Sequence, residues 1–150
     1  MNERDEFVTY FRRVQPQFSR FFASVLIDAN LTLPQYALLN VLDQTGVMSM
    51  TEMGEKLHVS KPAVTNLVDR LEKAKYLKRL PHSSDRRVYL LEIQQKGKIL
   101  VRKIQAYLLK LLLSALDQFS VSERKVITRF YASLSKKMDE FLLSVNQVKE

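Results

Sequence analysis

Six cations stand between residues 73 and 87, Lys73, Lys75, Lys78, Arg79, Arg86 and Arg87, and Asp85 is the single carboxylate among them. Ammonium and guanidinium groups at that density suit phosphate binding, Arg as a planar fork and Lys as a point charge. Just upstream, Thr65 and Asn66 sit between apolar residues in Val64-Thr65-Asn66-Leu67-Val68. An Asn amide has the donor and acceptor for a bidentate contact to adenine, and Thr can meet a thymine methyl or a phosphate. Lys61, Lys73 and the Ser60 hydroxyl suit phosphates, which fix register without reading sequence, and Arg70 is a further candidate DNA contact. Asp85 is positioned to hold the guanidinium of Arg86 or Arg87 in one orientation, as entry into a narrow minor groove would require.

Bond-making chemistry has little support in the same residues. The chain has no cysteine, which excludes a thiol nucleophile, a thiolate metal site and a thiol redox switch. Its three glycines, Gly46, Gly54 and Gly97, form neither a nucleophile elbow nor a phosphate-cradling loop. His58 and His82 lack carboxylates at catalytic or metal-ligand spacing and read as a turn residue and as a phosphate-facing or solvated group. No enzyme, cofactor or metal is expected.

The elements that must carry these residues follow from periodicity. Phe7, Phe11, Val14, Phe18, Phe21 and Val25 step by four and three, the seam of a first helix, and Pro16 within it predicts a kink or break. Thr32 caps a second helix with Pro34 in its first turn and Gly46 at its close. Ser49 and Glu52 form a capping box for a short third helix, which buries Met50, Met53 and Leu57. Two residues, His58 and Val59, then precede a new cap at Ser60. The fourth helix buries Val64, Leu67, Val68 and Leu71 and turns Lys61, Thr65, Asn66, Asp69, Arg70 and Lys73 outward. This is a helix-turn-helix arrangement.

From Tyr76 the period drops to two, through Pro81 and again over Arg87 to Ile93, which predicts a basic β-hairpin wing with Pro81 at an edge or turn. Gln94 to Phe119 is helical again, with an apolar face wide enough to be buried on more than one side. Ser120 and Glu123 make another capping box, and Ile127, Phe130, Leu134, Met138, Phe141 and Val145 run on in a heptad-like rhythm. The fold class is mainly α with a small β-hairpin wing, a winged helix-turn-helix with long N- and C-terminal dimerisation helices. Residues 1–30 and 98–150 are assigned to dimerisation and 31–97 to the winged helix-turn-helix, in one intertwined unit.

Charge distribution agrees with that placement. The net charge of +8 divides into −1 over residues 1–50, +4 over 51–97 and +5 over 98–150. An α-helix fits the major groove of duplex DNA and a basic hairpin can follow the backbone into the next minor groove. At 150 residues the chain can bury roughly 68–70% of its unfolded surface without staples. Its acidic start, followed by no apolar run, predicts a cytoplasmic chain, and no segment is long and apolar enough to span a membrane.

The order Leu31-Thr32-Leu33-Pro34-Gln35-Tyr36-Ala37-Leu38-Leu39, then Val64 through Glu72, then Ser84-Asp85-Arg86-Arg87, resembles the MarR family of winged helix-turn-helix transcriptional regulators. The resemblance covers nearly the whole chain. It implies a homodimer with intertwined terminal helices, a palindromic operator, release by a small amphipathic or aromatic effector, and insertion of a wing-tip arginine, Arg87 first and Arg86 second. Ile93-Gln94 departs from the Leu-Thr usual at that point in the family, and Gln94 is a weaker cap. Phe18, Phe22, Tyr36, Met48 and Tyr107 are the candidate lining of an effector pocket, with core packing as their alternative role. The function expected is a ligand-responsive repressor that binds double-stranded DNA sequence-specifically. A winged-helix protein-interaction module without operator binding is the alternative, and the basic wing weighs against it.

Overall fold

The computed structural model describes residues 2–85 and 87–147, with side chains as far as residue 142. Arg86 and the side chain of Val145 lie outside the described residues. Helices α1 (Glu3–Asp28) and α2 (Leu33–Thr45) lead to a two-residue strand β1 (Met48–Ser49), then to α3 (Met50–Leu57) and α4 (Lys61–Lys73). Strands β2 (Leu77–Pro81) and β3 (Tyr89–Ile93) follow, then α5 (Gln95–Leu116) and α6 (Val121–Gln147). The chain divides into two compact units, one up to Leu108 and one from Leu109 onward.

Helix starts are set by side chains that satisfy otherwise orphaned amides. Thr32 Oγ1 accepts from Gln35 N–H (3.4 Å) while Gln35 Oε1 accepts from Thr32 N–H (2.8 Å), and Pro34 occupies the first turn. Ser49 and Glu52 exchange the same pair of bonds (3.2 and 2.7 Å), and so do Ser120 and Glu123 (3.4 and 2.8 Å). Accepting the Ser49 N–H stabilises the charged form of Glu52 and holds its carboxyl below the usual range, and accepting the Ser120 hydroxyl and N–H does the same for Glu123. Gly46 closes α2 at φ 83°, a backbone that side chains rarely tolerate. A further capping box at Asn2 and Asp5 opens α1. Helix α1 runs through Pro16 without interruption, so of the kink or break expected there the break is absent. Proline removes one donor and crowds one carbonyl, a local cost that a 26-residue helix absorbs.

The core of the first unit gathers the apolar face of α4, Val64, Val68 and Leu71, with Leu38, Leu39 and Met53, all at 0–1% exposure. Each such side chain stabilises the fold by about 1.5–3 kcal/mol relative to leaving it in water. The sheet has three antiparallel strands in the order β1-β3-β2, so the expected hairpin gains a third member. Met48 pairs with Leu91 and Leu77 with Ile93. Two residues abutting a helix cap carry too little periodicity to announce a strand. Pro81 is the last residue of the edge strand, where its missing donor costs no ladder bond.

Helix α5 buries Val101 and Ile104 but leaves Leu109, Leu111, Leu112 and Leu113 exposed in the single chain. The expected burial on more than one side is therefore not met within one chain, because periodicity specifies an apolar face and not what packs on it. At its start, Gln94 donates its N–H to the Tyr76 carbonyl (2.8 Å), and Lys96 Nζ donates to the Ala74 carbonyl (3.0 Å). Gly97 is buried there, and a Cβ built on it would stand 2.3 Å from the Tyr76 oxygen. Replacing a helical Gly with Ala ordinarily gains about 1 kcal/mol. Here Gly97→Ala is expected to destabilise by about 1–3 kcal/mol through overpacking, read as a lower urea midpoint with unchanged m-value.

Candidate nucleic-acid interface

The corner between α3 and α4 is held by backbone. His58 takes the left-handed conformation (φ 53°), and Val59 N–H reaches the Gly54 carbonyl at 3.1 Å. A Cβ on Gly54 would lie 3.2 Å from the Val59 oxygen, so the close approach favours glycine. Ser60 then caps α4 by accepting the Ala63 N–H (3.4 Å), with Pro62 in the first turn. With one face of α4 fixed in the core, Ser60, Lys61, Asn66, Arg70 and Lys73 are exposed and Thr65 is half-buried. The Thr65 hydroxyl donates to the Lys61 carbonyl (3.1 Å), so its donor is used within the helix. All six expected contact residues on this helix thus fall on or beside one accessible polar face.

The wing tip is a self-bonded loop. His82 N–H donates to the Val88 carbonyl and Val88 N–H to the Asp85 carbonyl, each at 3.0 Å. Ser84 N–H donates to His82 Nδ1 (3.2 Å). Asp85 Oδ1 accepts the backbone N–H of Arg87 at 2.9 Å. Among the described residues, then, Asp85 orients the Arg87 backbone and not its guanidinium, since a short carboxylate reaches an amide two residues on with little strain. Arg87 is exposed at the tip.

The structure also shows which cations of the basic run are already engaged. Lys78 pairs with Glu92 (2.6 Å), its direct neighbour across the hairpin. The Arg79 guanidinium binds Asp69 Oδ1 (2.5 Å) and Glu72 Oε2, and its backbone N–H donates to Glu72 Oε1 (3.0 Å). Burial alone would lower the Arg79 pKa, but the hydrogen bonds and charges of Asp69 and Glu72 outweigh it and raise it. Asp85 is the only acid within the run, yet carboxylates from helix and strand fold onto it. The legible signal was the pair Asp69 and Glu72, three apart at the end of a helix that turns back at once into the strand carrying Arg79.

The candidate effector residues do not converge. The Phe22 ring meets Tyr36 edge-on at 5.4 Å, and Tyr36 is 9% exposed. Burial raises the Tyr36 phenol pKa, with a hydrogen bond to Gln105 acting against it. Met48 is buried in the sheet and Phe18 is half-buried on α1. Of the five, only Tyr107 lines the cleft of about 170 Å³ formed by Val25 and Asp28 of α1 and its C-cap Ala29 with Leu100, Lys103 and Ile104 of α5. Among the described residues no group of three or more His, Asp or Glu is arranged to hold a metal, and no single helix is long and apolar enough to cross a membrane.

Residues 31–89, from the cap of α2 to the start of β3, match the model of the MarR family. The fold aligns with that of a MarR family protein from Bacillus stearothermophilus at a TM-score of 0.77 and 25% identity, over 93% of this chain and 99% of that one. Over the helix-turn-helix and the hairpin the chain is thus similar to the MarR family, in sequence and in fold. An uncharacterised HTH-type transcriptional regulator, YfiV of Bacillus subtilis, is 26% identical over 73% of this chain and 69% of its own. The HTH-type transcriptional regulator PapX of Escherichia coli is 27% identical over 79% and 76%. Both are named as regulators of transcription and neither as an enzyme.

The cap of α4 has a measurable weight. Ser60→Ala is expected to cost about 1 kcal/mol of stability in urea denaturation, while Ser60→Gly costs only a few tenths.

Proposed function

We propose that this chain is a homodimeric, sequence-specific repressor of the MarR family that binds a palindromic duplex operator through α4 and the wing and responds to a small amphipathic or aromatic effector. The observation carrying the reading is the polar face of α4: a capped helix with one side fixed in the core, the other accessible, and a basic wing beside it. Asn66 reads an adenine edge and Thr65 contributes a methyl contact, while Ser60, Lys61, Arg70 and Lys73 hold phosphates. Arg87 enters the minor groove from the tip that Asp85 orders, and Arg86 is assigned the same role from sequence alone. Occupying a duplex site excludes other proteins from it, which is the physical basis of repression.

The terminal helices, residues 1–30 and 98–150, serve dimerisation. Tyr10, Phe11 and Val14 on α1 are 53–60% exposed, and Leu134, Met138 and Leu142 on α6 are 41–56% exposed. Large apolar side chains repeated at helical spacing call for a cover, and a twofold partner supplies one. Such symmetry puts two recognition helices about 34–36 Å apart, one turn of duplex. The cleft between α1 and α5 combines apolar walls with Asp28 and Lys103, a lining suited to an amphipathic occupant.

Titration of random-sequence duplex at increasing salt tests the reading. Binding should weaken with a steep negative log–log slope, and no binding at low salt would favour the protein-interaction module instead. Asn66→Ala should cost about 1–3 kcal/mol and relax preference at one base position per half-site in a binding-site selection, whereas Arg87→Ala should weaken binding across sequences. Sedimentation equilibrium at micromolar concentration should give twice the chain mass; a monomer would sink the dimer.

A further inference from the structure

Arg79 stands in the most basic stretch of the chain but is turned inward, its side chain only 21% exposed. Three bonds join it to α4: its guanidinium to Asp69 and to Glu72, and its backbone N–H to Glu72. Asp69 and Glu72 lie on successive positions of the helix edge, three residues apart, and Asp69 is within one turn of Asn66. Strand β2, which carries Arg79, leads directly to the wing tip. Between α4 and β2 the chain turns through Ala74, Lys75 and Tyr76, with Lys75 in the left-handed conformation (φ 63°). That turn joins the two elements at one end only. Leu77, beside the turn, is buried in the core, and two residues farther along the strand Arg79 bridges it to the helix edge.

We propose that Arg79 is a specificity-determining positioning residue, which fixes the angle between recognition helix and wing so that both can engage their grooves at once. The proposal rests on the duplex-binding reading above. A planar fork with five donors can hold two carboxylates on one helix in a single geometry, whereas a lysine ammonium is a point charge on a flexible stem. Base contacts by α4 and groove entry by the wing add in affinity only if their spacing is preset, because a loose pair must be ordered at the moment of binding. Random duplex, held by phosphates alone, asks much less of that angle. The fork should therefore matter for discrimination and little for non-specific affinity.

The test uses the full chain, an operator obtained by selection with the wild-type protein, and random duplex of the same length. Arg79→Lys keeps the charge and removes the fork. It should reduce the ratio of operator to random affinity about tenfold, with random-duplex affinity and salt slope within about twofold of wild type. Glu72→Gln, which keeps an oxygen to accept the Arg79 amide, should lower the same ratio. The double variant should be no worse than the weaker single, because both remove one shared interaction. The proposal is overturned if R79K keeps wild-type discrimination, if it loses operator and random affinity equally as a direct phosphate contact would, or if the two effects add. If R79K does not fold, as judged by circular dichroism, E72Q alone decides: unchanged discrimination overturns the proposal and a reduced ratio with intact random-duplex binding supports it. Should the wild-type protein itself fail to bind duplex at low salt, the duplex-binding reading falls, and this inference falls with it.

Discussion

Val64, Val68 and Leu71 fill one side of α4 with no more than 1% exposure, and this dry face is the constraint from which the arrangement of the reading elements follows. Successive residues of a helix are about 100° apart, so a slip of one position would carry Thr65 and Asp69 into the core and put Val64 and Val68 in water. Burying an uncompensated carboxylate costs far more than the chain has to spare. The rotation of α4 is therefore single-valued. Asn66, Arg70 and Lys73 face outward because three apolar neighbours have no other place to go.

Local rules in the chain were legible wherever a few adjacent residues decide the outcome. Thr32, Ser49 with Glu52, and Ser120 with Glu123 announce helix starts that the structure reproduces, with Gln35 completing a box at Thr32 that the sequence reading does not include. The short corner at His58 and Val59 and the exposed polar face of α4 were equally readable, since both follow from periodicity and caps. What sequence left obscure depends on partners far along the chain. Strand β1 exists because β3 offers it a free edge, which no feature of Met48-Ser49 reveals. Of the kink or break expected at Pro16 the break is absent, because a local penalty was weighed without the long helix around it.

The same distinction governs charge. As a string, residues 73–87 look like a continuous cationic surface. In the fold, Lys78 meets Glu92 across the hairpin and Arg79 meets Asp69 and Glu72. Of that run Lys73, Lys75 and Arg87 stay exposed and without a carboxylate among the described residues, at the end of α4, in the turn after it and at the wing, and Lys61 and Arg70 add to the α4 group. Exposed ion pairs such as Lys78 with Glu92 contribute little to stability, about 0–1 kcal/mol. Their larger effect is on where positive potential is left for an acidic partner.

Gly97 leaves a different imprint. Its backbone comes so near the Tyr76 carbonyl that one added carbon would stand 2.3 Å from the oxygen, while Gln94 and Lys96 grip the same turn on either side. Helix α5 begins at that seat and runs 22 residues, passing the Leu100, Lys103, Ile104 and Tyr107 side chains of the α1 cleft on its way. A joint with no slack behaves as a keyed shaft. The root of the helix is seated against the turn from which both the recognition helix and the wing depart.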